Sequence, residues 1–348
     1  MFSHINFTAM AEYVEIIKDL QKGKYSPLYF LQGEEPFFID NIIEHIELNA
    51  LDDTQKSFNQ YVLYGKEISF TDILNVARKY PMMGERQVVI IKEAQEIRDW
   101  KKEEAQKFLT AYLENPLATT ILVFGHKYKT LDRRTKIAKT LEKHCVFLNS
   151  KKIYDDKVPG WVRSYAQASG ANISEKAIMI LTENIGNNLQ RLANELDKLR
   201  LNIPADQQID EVAVQKYVGI SKDYNTFELQ KALSLRDEIK VFKIITYFSA
   251  NPSSNPLILV IANLYAYFSK LLLIHHQNAF DQNSVARAIG VNPFFASEYI
   301  QAARNYPAHV VVRNIELIHQ ADLQSKGIGS ASMKDGDILK ELIFKLMH

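Results

Sequence analysis

Cysteine is almost missing from this 348-residue chain, Cys145 being the single example. One thiol can form neither an internal disulfide framework nor a cysteine zinc site, so the sequence points to a reducing cytosol. An excess of either charge is also missing. There are 42 Lys plus Arg against 41 Asp plus Glu, a net charge of +1. That balance excludes a uniformly basic nucleic-acid binder and an acidic disordered tail, and leaves any DNA contact to a local patch. The opening MFSHINFTAM has no basic leader followed by an apolar segment, and no secretory signal is expected. Long unbroken apolar runs are lacking too. The most hydrophobic stretch, Leu257 to Ile274, carries Asn263, Ser269 and Lys270, and reads as the core helix of a bundle, not a membrane span.

Catalytic signatures are equally scarce. The chain has no Gly-x-Ser-x-Gly, His-Glu-x-x-His or Gly-x-Gly-x-x-Gly. His275 and His276 are adjacent, so on a helix they point about 100° apart and do not chelate as an i, i+4 pair would. Gly327-x-Gly329 lacks a preceding strand and a third glycine, and reads as a loop. No catalytic residue, metal site or cofactor is expected of this chain.

What is present falls into three parts. From residue 1 to about 150, helical patterns alternate with short apolar runs. Leu28–Leu31, Arg86–Ile91, Thr119–Phe124 and Val146–Leu148 suit buried parallel strands, and Ser57–Leu63 is read as one more. The helices between them include Ala9–Leu20, a segment from Glu35 or Pro36 to Leu48, Ser69 to about Tyr80, and Lys102–Leu113. This alternation predicts an α/β domain, a parallel sheet covered on both faces. Residues 151–220 read as a small helical domain: Val158–Ser169, Ser174–Ile185 and Asn188–Leu201, with Gly170 and Gly186 as stops. From 221 to 348 the pattern is helical throughout, with Gly327, Gly329 and Gly336 in a loop before the last helix.

The stretch Leu28 to Ile43 has the strand, glycine turn and helix start of a phosphate-binding loop without its chemistry. A working loop needs backbone N–H groups around the phosphates, a lysine on them and a Ser or Thr on magnesium. Here Gly33 makes the turn, but Glu34, Glu35 and Phe37 follow, with Pro36 at the first helical position. Two carboxylates at a helix N-terminus complement the macrodipole themselves and repel a triphosphate. On these residues alone the stretch is an ordinary strand–turn–helix joint. The string Lys129 to Lys139, with Lys129, Arg133, Arg134 and Lys136 among its basic residues, reads as a solvated face or a phosphate-contacting patch.

Several segments in order then resemble one family: YFLQGEEPFFIDNI, ARKYPMMGERQVVIIKEA, ILVFGHKYKTLDRRTKIAKTL, the segment from Trp161 to Leu199 with its Gly-Asn-Asn-Leu and Asn-Glu-Leu, and YNTFELQKAL. Together they resemble the delta-subunit family of the bacterial DNA polymerase III clamp loader, nearly end to end. The resemblance implies an AAA+-type α/β domain (1–150), a three-helix lid (151–220) and an all-α collar that assembles the ring (221–348). It also implies a degenerate nucleotide site. In ATP-hydrolysing relatives the strand matching Val88–Ile91 is followed by Asp-Glu, where this chain has Lys92-Glu93; the lid arginine that senses the γ-phosphate is replaced by Leu189, with Arg191 two further on. Loop, metal acid and sensor depart together, and each would remove stabilisation that phosphoryl transfer needs.

The family presents two exposed apolar residues to the sliding clamp, and Met82 and Met83 fall at that place, after a helix and before Gly84. On composition alone the pair reads as core; the resemblance makes it an adaptable apolar plug. The implied function is to bind and open the sliding clamp (beta subunit) for loading onto primed DNA, without hydrolysing ATP. The implied partners are gamma/tau and delta-prime subunits in a five-subunit ring, and primer-template DNA through the assembled complex, as part of a cytoplasmic DNA-directed DNA polymerase holoenzyme. Two other readings compete: an active AAA+ ATPase, which the missing Walker lysine disfavours, and a helical adaptor outside replication.

Overall fold

The computed structural model describes residues 5–82, 84–221, 223–328 and 333–348, with side chains placed from residue 12 onward. The chain forms two compact units, Met1–Ile153 and Tyr154–His348.

In the first unit the elements run α1 (Ile5–Gln21), β1 (Leu28–Gly33), α2 (Pro36–Asn49), α3 (Asp53–Asn59), β2 (Gln60–Tyr64), α4 (Phe70–Ala77), β3 (Gln87–Lys92), α5 (Glu103–Glu114), β4 (Thr120–Lys127), α6 (Lys136–His144) and β5 (Val146–Ser150). The five strands form one sheet in the order β2-β3-β4-β1-β5, every pairing parallel. Register places Phe30 beside Phe124 and Phe147, and Gly33 beside Lys127 and Ser150, so the carboxyl ends of the three strands meet. Both faces of the sheet are covered, which is why these strands read as continuous apolar runs. Phe30, Val89, Ile91 and Phe124 share a core with Phe70 and Leu74 of α4, Leu109 and Leu113 of α5, and Ile137 and Leu141 of α6. The alternate residues Leu31, Val88, Ile90 and Val123 are equally buried, and α2 packs against the sheet with Ile39, Ile42, Ile43 and Ile46 inside. Helix α1 lies along the edge strand β5, with Tyr13 and Phe38 ring centroids 4.8 Å apart.

Two sequence expectations needed correction here. Ser57–Leu63 is not all strand: Asp52 caps α3, its Oδ1 accepting the Gln55 N–H at 2.9 Å, and the strand starts only at Gln60. A helix inside the basic string went unread. Thr135 caps α6, and Ile137, Ala138 and Leu141 keep helical apolar spacing beneath a charged surface.

The second unit is helical: α7 (Val158–Ala168), α8 (Glu175–Ile185), α9 (Leu189–Asn202), α10 (Glu211–Val218), α11 (Thr226–Ser234), α12 (Glu238–Ala250), α13 (Leu257–Gln277), α14 (Gln282–Ile289), α15 (Pro293–Asn305), α16 (Ala308–Ser325) and α17 (Asp335–Met347). By length and composition α13 could cross a membrane, but Val260, Leu264, Phe268, Leu271 and Ile274 are buried in the bundle core against α16 and its neighbours. Polar ties join the first helices of this unit to the later ones. Buried Glu228 on α11 pairs with Lys176 of α8 at 3.2 Å and with Lys240 of α12, and Asn292 donates to Glu175 at 2.8 Å. Removing the lysines would be costly, because the buried Glu228 carboxylate would be left unpaired in low dielectric.

A second buried carboxylate gives unit two a pH dependence. One oxygen of Glu183 on α8 is buried without a hydrogen-bond partner. Burial pushes its carboxyl up to about 7, against the opposing pull of Lys270 on α13 and with the like charge of Glu298 on α15 adding to the rise. Burial likewise pushes Lys270 down. Because the folded form holds this proton more tightly than the unfolded chain, the contribution is complete below the ordinary carboxyl value. It is lost as pH rises through about 7. Glu183→Gln is therefore expected to stabilise the protein by up to about 3 kcal/mol at pH 8 and by little at pH 4.5. Paired chemical-denaturation curves at the two pH values check this; an equal effect at both would refute it.

Candidate partner-contact loop and altered phosphate site

The turn after β1 is closed on its own chain. Gly33 has φ +138°, and a Cβ there would sit 1.9 Å from the Ser150 carbonyl oxygen. The Glu34 N–H donates to that oxygen at 2.8 Å, the Glu35 N–H reaches it at 3.5 Å, and Ser150 Oγ donates to the Glu35 carbonyl at 2.7 Å. Pro36 brings no N–H, and the Phe37 N–H is taken by the Glu35 carboxylate at 3.3 Å, so Glu35 caps α2. Burial raises the Glu35 carboxyl above its ordinary range, opposed by the Phe37 N–H and by Lys152. The amides that would surround a phosphate are thus engaged by β5 and by a carboxylate.

Lys92 and Glu93 sit at the carboxyl end of β3, the same end of the sheet as Gly33, Glu34 and Glu35. Lys92 pairs with Glu47 of α2 at 2.8 Å. Glu93 adopts φ +53°, unusual for a residue with a side chain, and its carboxylate pairs with Lys127 at 2.8 Å and accepts from Gln95. Lys127, at the end of β4, also reaches Asp40 of α2 at 3.2 Å, and its backbone N–H donates to Gln95 at 2.9 Å. Burial works to raise the Glu93 carboxyl, but the bonds from Lys127 and Gln95 outweigh it and hold the group below its usual value. For Lys127 the balance is the mirror image: burial lowers it, and Glu93 with Asp40 outweigh that and raise it. An internal ammonium bridges two carboxylates here. Sequence reasoning missed Lys127 and Asp40, whose only signal was their place at a strand end and one turn into a helix.

In the second unit, Leu189 is buried at the start of α9, and Asn188 caps that helix by accepting the Arg191 N–H at 3.0 Å. The basic string is exposed on the loop before α6 and at that helix's first turn. Lys129 lies 3.4 Å from Glu96, Arg133 3.1 Å from Glu142, and Arg134 makes a two-pronged contact with Asp132 at 2.7 Å; no such pairing is seen for Lys136 among the described residues.

Met82 is not at a helix end, since α4 stops at Ala77; it stands in the turn that leads to β3. Its side chain is 61% exposed, and Tyr80, two residues earlier, is 75% exposed. The core alternative therefore fails for Met82, and Tyr80 is a second exposed apolar residue that sequence reasoning passed over. Met83 lies outside the described residues. The turn itself is held from below. Asn59, the last residue of α3 and 1% exposed, accepts the Met82 N–H at 2.7 Å and donates to the Met82 carbonyl at 2.7 Å.

A five-stranded parallel sheet with helices on both faces, followed by an all-helical unit, is the α/β-then-helical fold class that the sequence implied. The family model for "DNA polymerase III, delta subunit" matches residues 29–151. The chain is 25% identical over 334 residues to DNA polymerase III subunit delta of Bacillus subtilis (strain 168), covering 94% of each. It is 21% identical over 279 residues to the probable DNA polymerase III subunit delta of Aquifex aeolicus (strain VF5), covering 77% of each. Among solved structures it matches the Bacillus subtilis DNA clamp loader delta protein with a TM-score of 0.58 at 24% identity, over 97% of this chain and 100% of that one. The resemblance to the DNA polymerase III delta family thus holds along nearly the whole chain.

Proposed function

We propose that this chain binds and opens the sliding clamp, the beta subunit, so that the ring can be loaded onto primed DNA, and that it does so without hydrolysing ATP. The observation that carries the clamp reading is Met82, an exposed apolar side chain on a backbone held by a buried amide; such a residue can enter a partner's pocket with little ordering cost. The α/β domain (1–150) presents this loop, the helices of 151–220 act as the lid, and those of 221–348 form the collar that joins gamma/tau and delta-prime subunits in a five-subunit cytoplasmic ring. Lys129, Arg133, Arg134 and Lys136 serve primer-template DNA within the assembled complex, the first three by exchanging their local carboxylates for phosphates.

The closed loop supports the absence of ATP hydrolysis. A triphosphate would have to displace Ser150 from the Glu34 amide and approach two carboxylates, and Lys127, at the end of β4, is already bridged to Glu93 and Asp40. Calorimetry of the purified full chain is expected to show no ATP–magnesium binding at micromolar concentrations; a tight stoichiometric site would restore the ATPase reading. Titration of the same protein with purified sliding clamp tests the main proposal. No association would leave the adaptor reading in its place.

A further inference from the structure

We infer that Asn59 and Gln87 are positioning residues that hold Met82 ready for its partner, so that the contact loop is built before the partner arrives. The inference rests on the clamp-contact reading of Met82 and adds to it the two residues through which that loop is set.

The turn from Arg78 to Arg86 joins α4 to β3, and a free segment of that length would sample many conformations. It is pinned in three places. At its start, the side-chain amide of Gln87, 1% exposed, has Nε2 2.6 Å from the Lys79 carbonyl, 3.2 Å from that of Ala77 and 2.8 Å from Thr120 Oγ1, so it ties the last carbonyls of α4 to the first residue of β4. At its middle, Asn59 uses both ends of its amide on one residue, accepting the Met82 N–H and donating to the Met82 carbonyl. At its end, the Arg86 guanidinium lies 5.4 Å from the Tyr25 ring centroid. Gly84 completes the arrangement, because a Cβ there would come within 3.2 Å of Asn59 Nδ2 and 3.4 Å of the Gln55 side chain. Arg86, the last residue of the turn, and Gln87, the first of β3, thus help to shape the turn before the strand.

An amide that satisfies both the donor and the acceptor of one backbone residue fixes that residue's peptide planes, and with them the direction of its Cα–Cβ bond. Fixing the backbone in the free protein removes an ordering cost from association, which is how a single exposed methionine becomes an effective anchor. Asn59 touches no partner in this scheme; it acts through Met82.

The test is a double-mutant cycle on the full chain, read as affinity for the purified sliding clamp. Asn59→Ala is expected to weaken binding by about tenfold while Met82 stays in place, and to speed hydrogen exchange of the Met82 amide. In a Met82→Ala background the same change should weaken binding by no more than about twofold, since Asn59 bonds the Met82 backbone alone and the side chain it directs is gone. A tenfold loss in both backgrounds would overturn the positioning role, because a general structural defect does not depend on Met82. So would unchanged binding by Asn59→Ala. If that variant does not fold, Gln87→Leu takes its place in the cycle with the same expected coupling, and additivity there overturns the inference equally. Met82→Ala binding like the parent would refute the clamp-contact reading itself, an outcome separate from either of these.

Discussion

The double variant Met82→Asp, Met83→Asp is expected to melt with the parent protein and to bind the sliding clamp at least about a hundredfold more weakly. At Met82 the side chain is mostly in water, so a carboxylate there removes little packing, and Asn59 continues to hold the backbone. Surface substitutions of this kind usually stay within about 0.5 kcal/mol. In the complex the balance reverses. Burying a methionine side chain contributes on the order of 1.5–3 kcal/mol before ordering costs, and an unpaired carboxylate in an apolar pocket adds a desolvation penalty. Loss of about 2.8 kcal/mol is already two decades of affinity. Thermal melting run beside a clamp titration separates the cases. Unchanged binding by a well-folded double variant would refute the site, whereas a large fall in melting temperature would mean that the Met83 side chain is part of the core.

How legible these features were depended on whether their cause was local. The strands of the first unit are written as near-continuous β-branched runs because both sheet faces are covered, and the stops at Gly170 and Gly186 follow from positive φ. Helix α6 escaped because Ile137, Ala138 and Leu141 are interleaved with lysines, so that composition masked the apolar spacing. Asn59–Met82, Ser150–Glu35 and Lys127–Asp40 link residues 23, 115 and 87 positions apart, and no local pattern announces which partner each will meet. The departures at Glu34, Glu35 and Lys92 were visible as wrong residue types for phosphate and metal. What those residues meet, an ammonium between Glu93 and Asp40 and a serine carbonyl on the loop amide, needed the fold.

Gly33 marks the point where β1 comes closest to β5. In a working phosphate loop the glycine lets the backbone approach the ligand; here it lets β1 approach Ser150. Gly33→Ala would place a methyl carbon 1.9 Å from the Ser150 carbonyl oxygen, at a φ of +138° that residues with side chains rarely adopt. That neighbour is backbone, so no rotamer change relieves the clash. The strands must separate at the point where three hydrogen bonds converge: Glu34 N–H to Ser150 O at 2.8 Å, Ser150 Oγ to Glu35 O at 2.7 Å, and Tyr128 N–H to Gly33 O at 2.8 Å. A cost on the order of 3–5 kcal/mol follows, which for a unit of this size lowers the melting temperature by about 10 °C or more. Gly186→Ala is the control. It too has positive φ, at +71°, but nothing lies within 4 Å of the added carbon, so about 1–2 kcal/mol of backbone strain is expected. Adding ATP–magnesium should change neither result, because stabilisation by a ligand requires binding to the folded state. If Gly33→Ala melted within about 2 °C of the parent, or no lower than Gly186→Ala, the close approach of β1 to Ser150 would not be what this glycine serves.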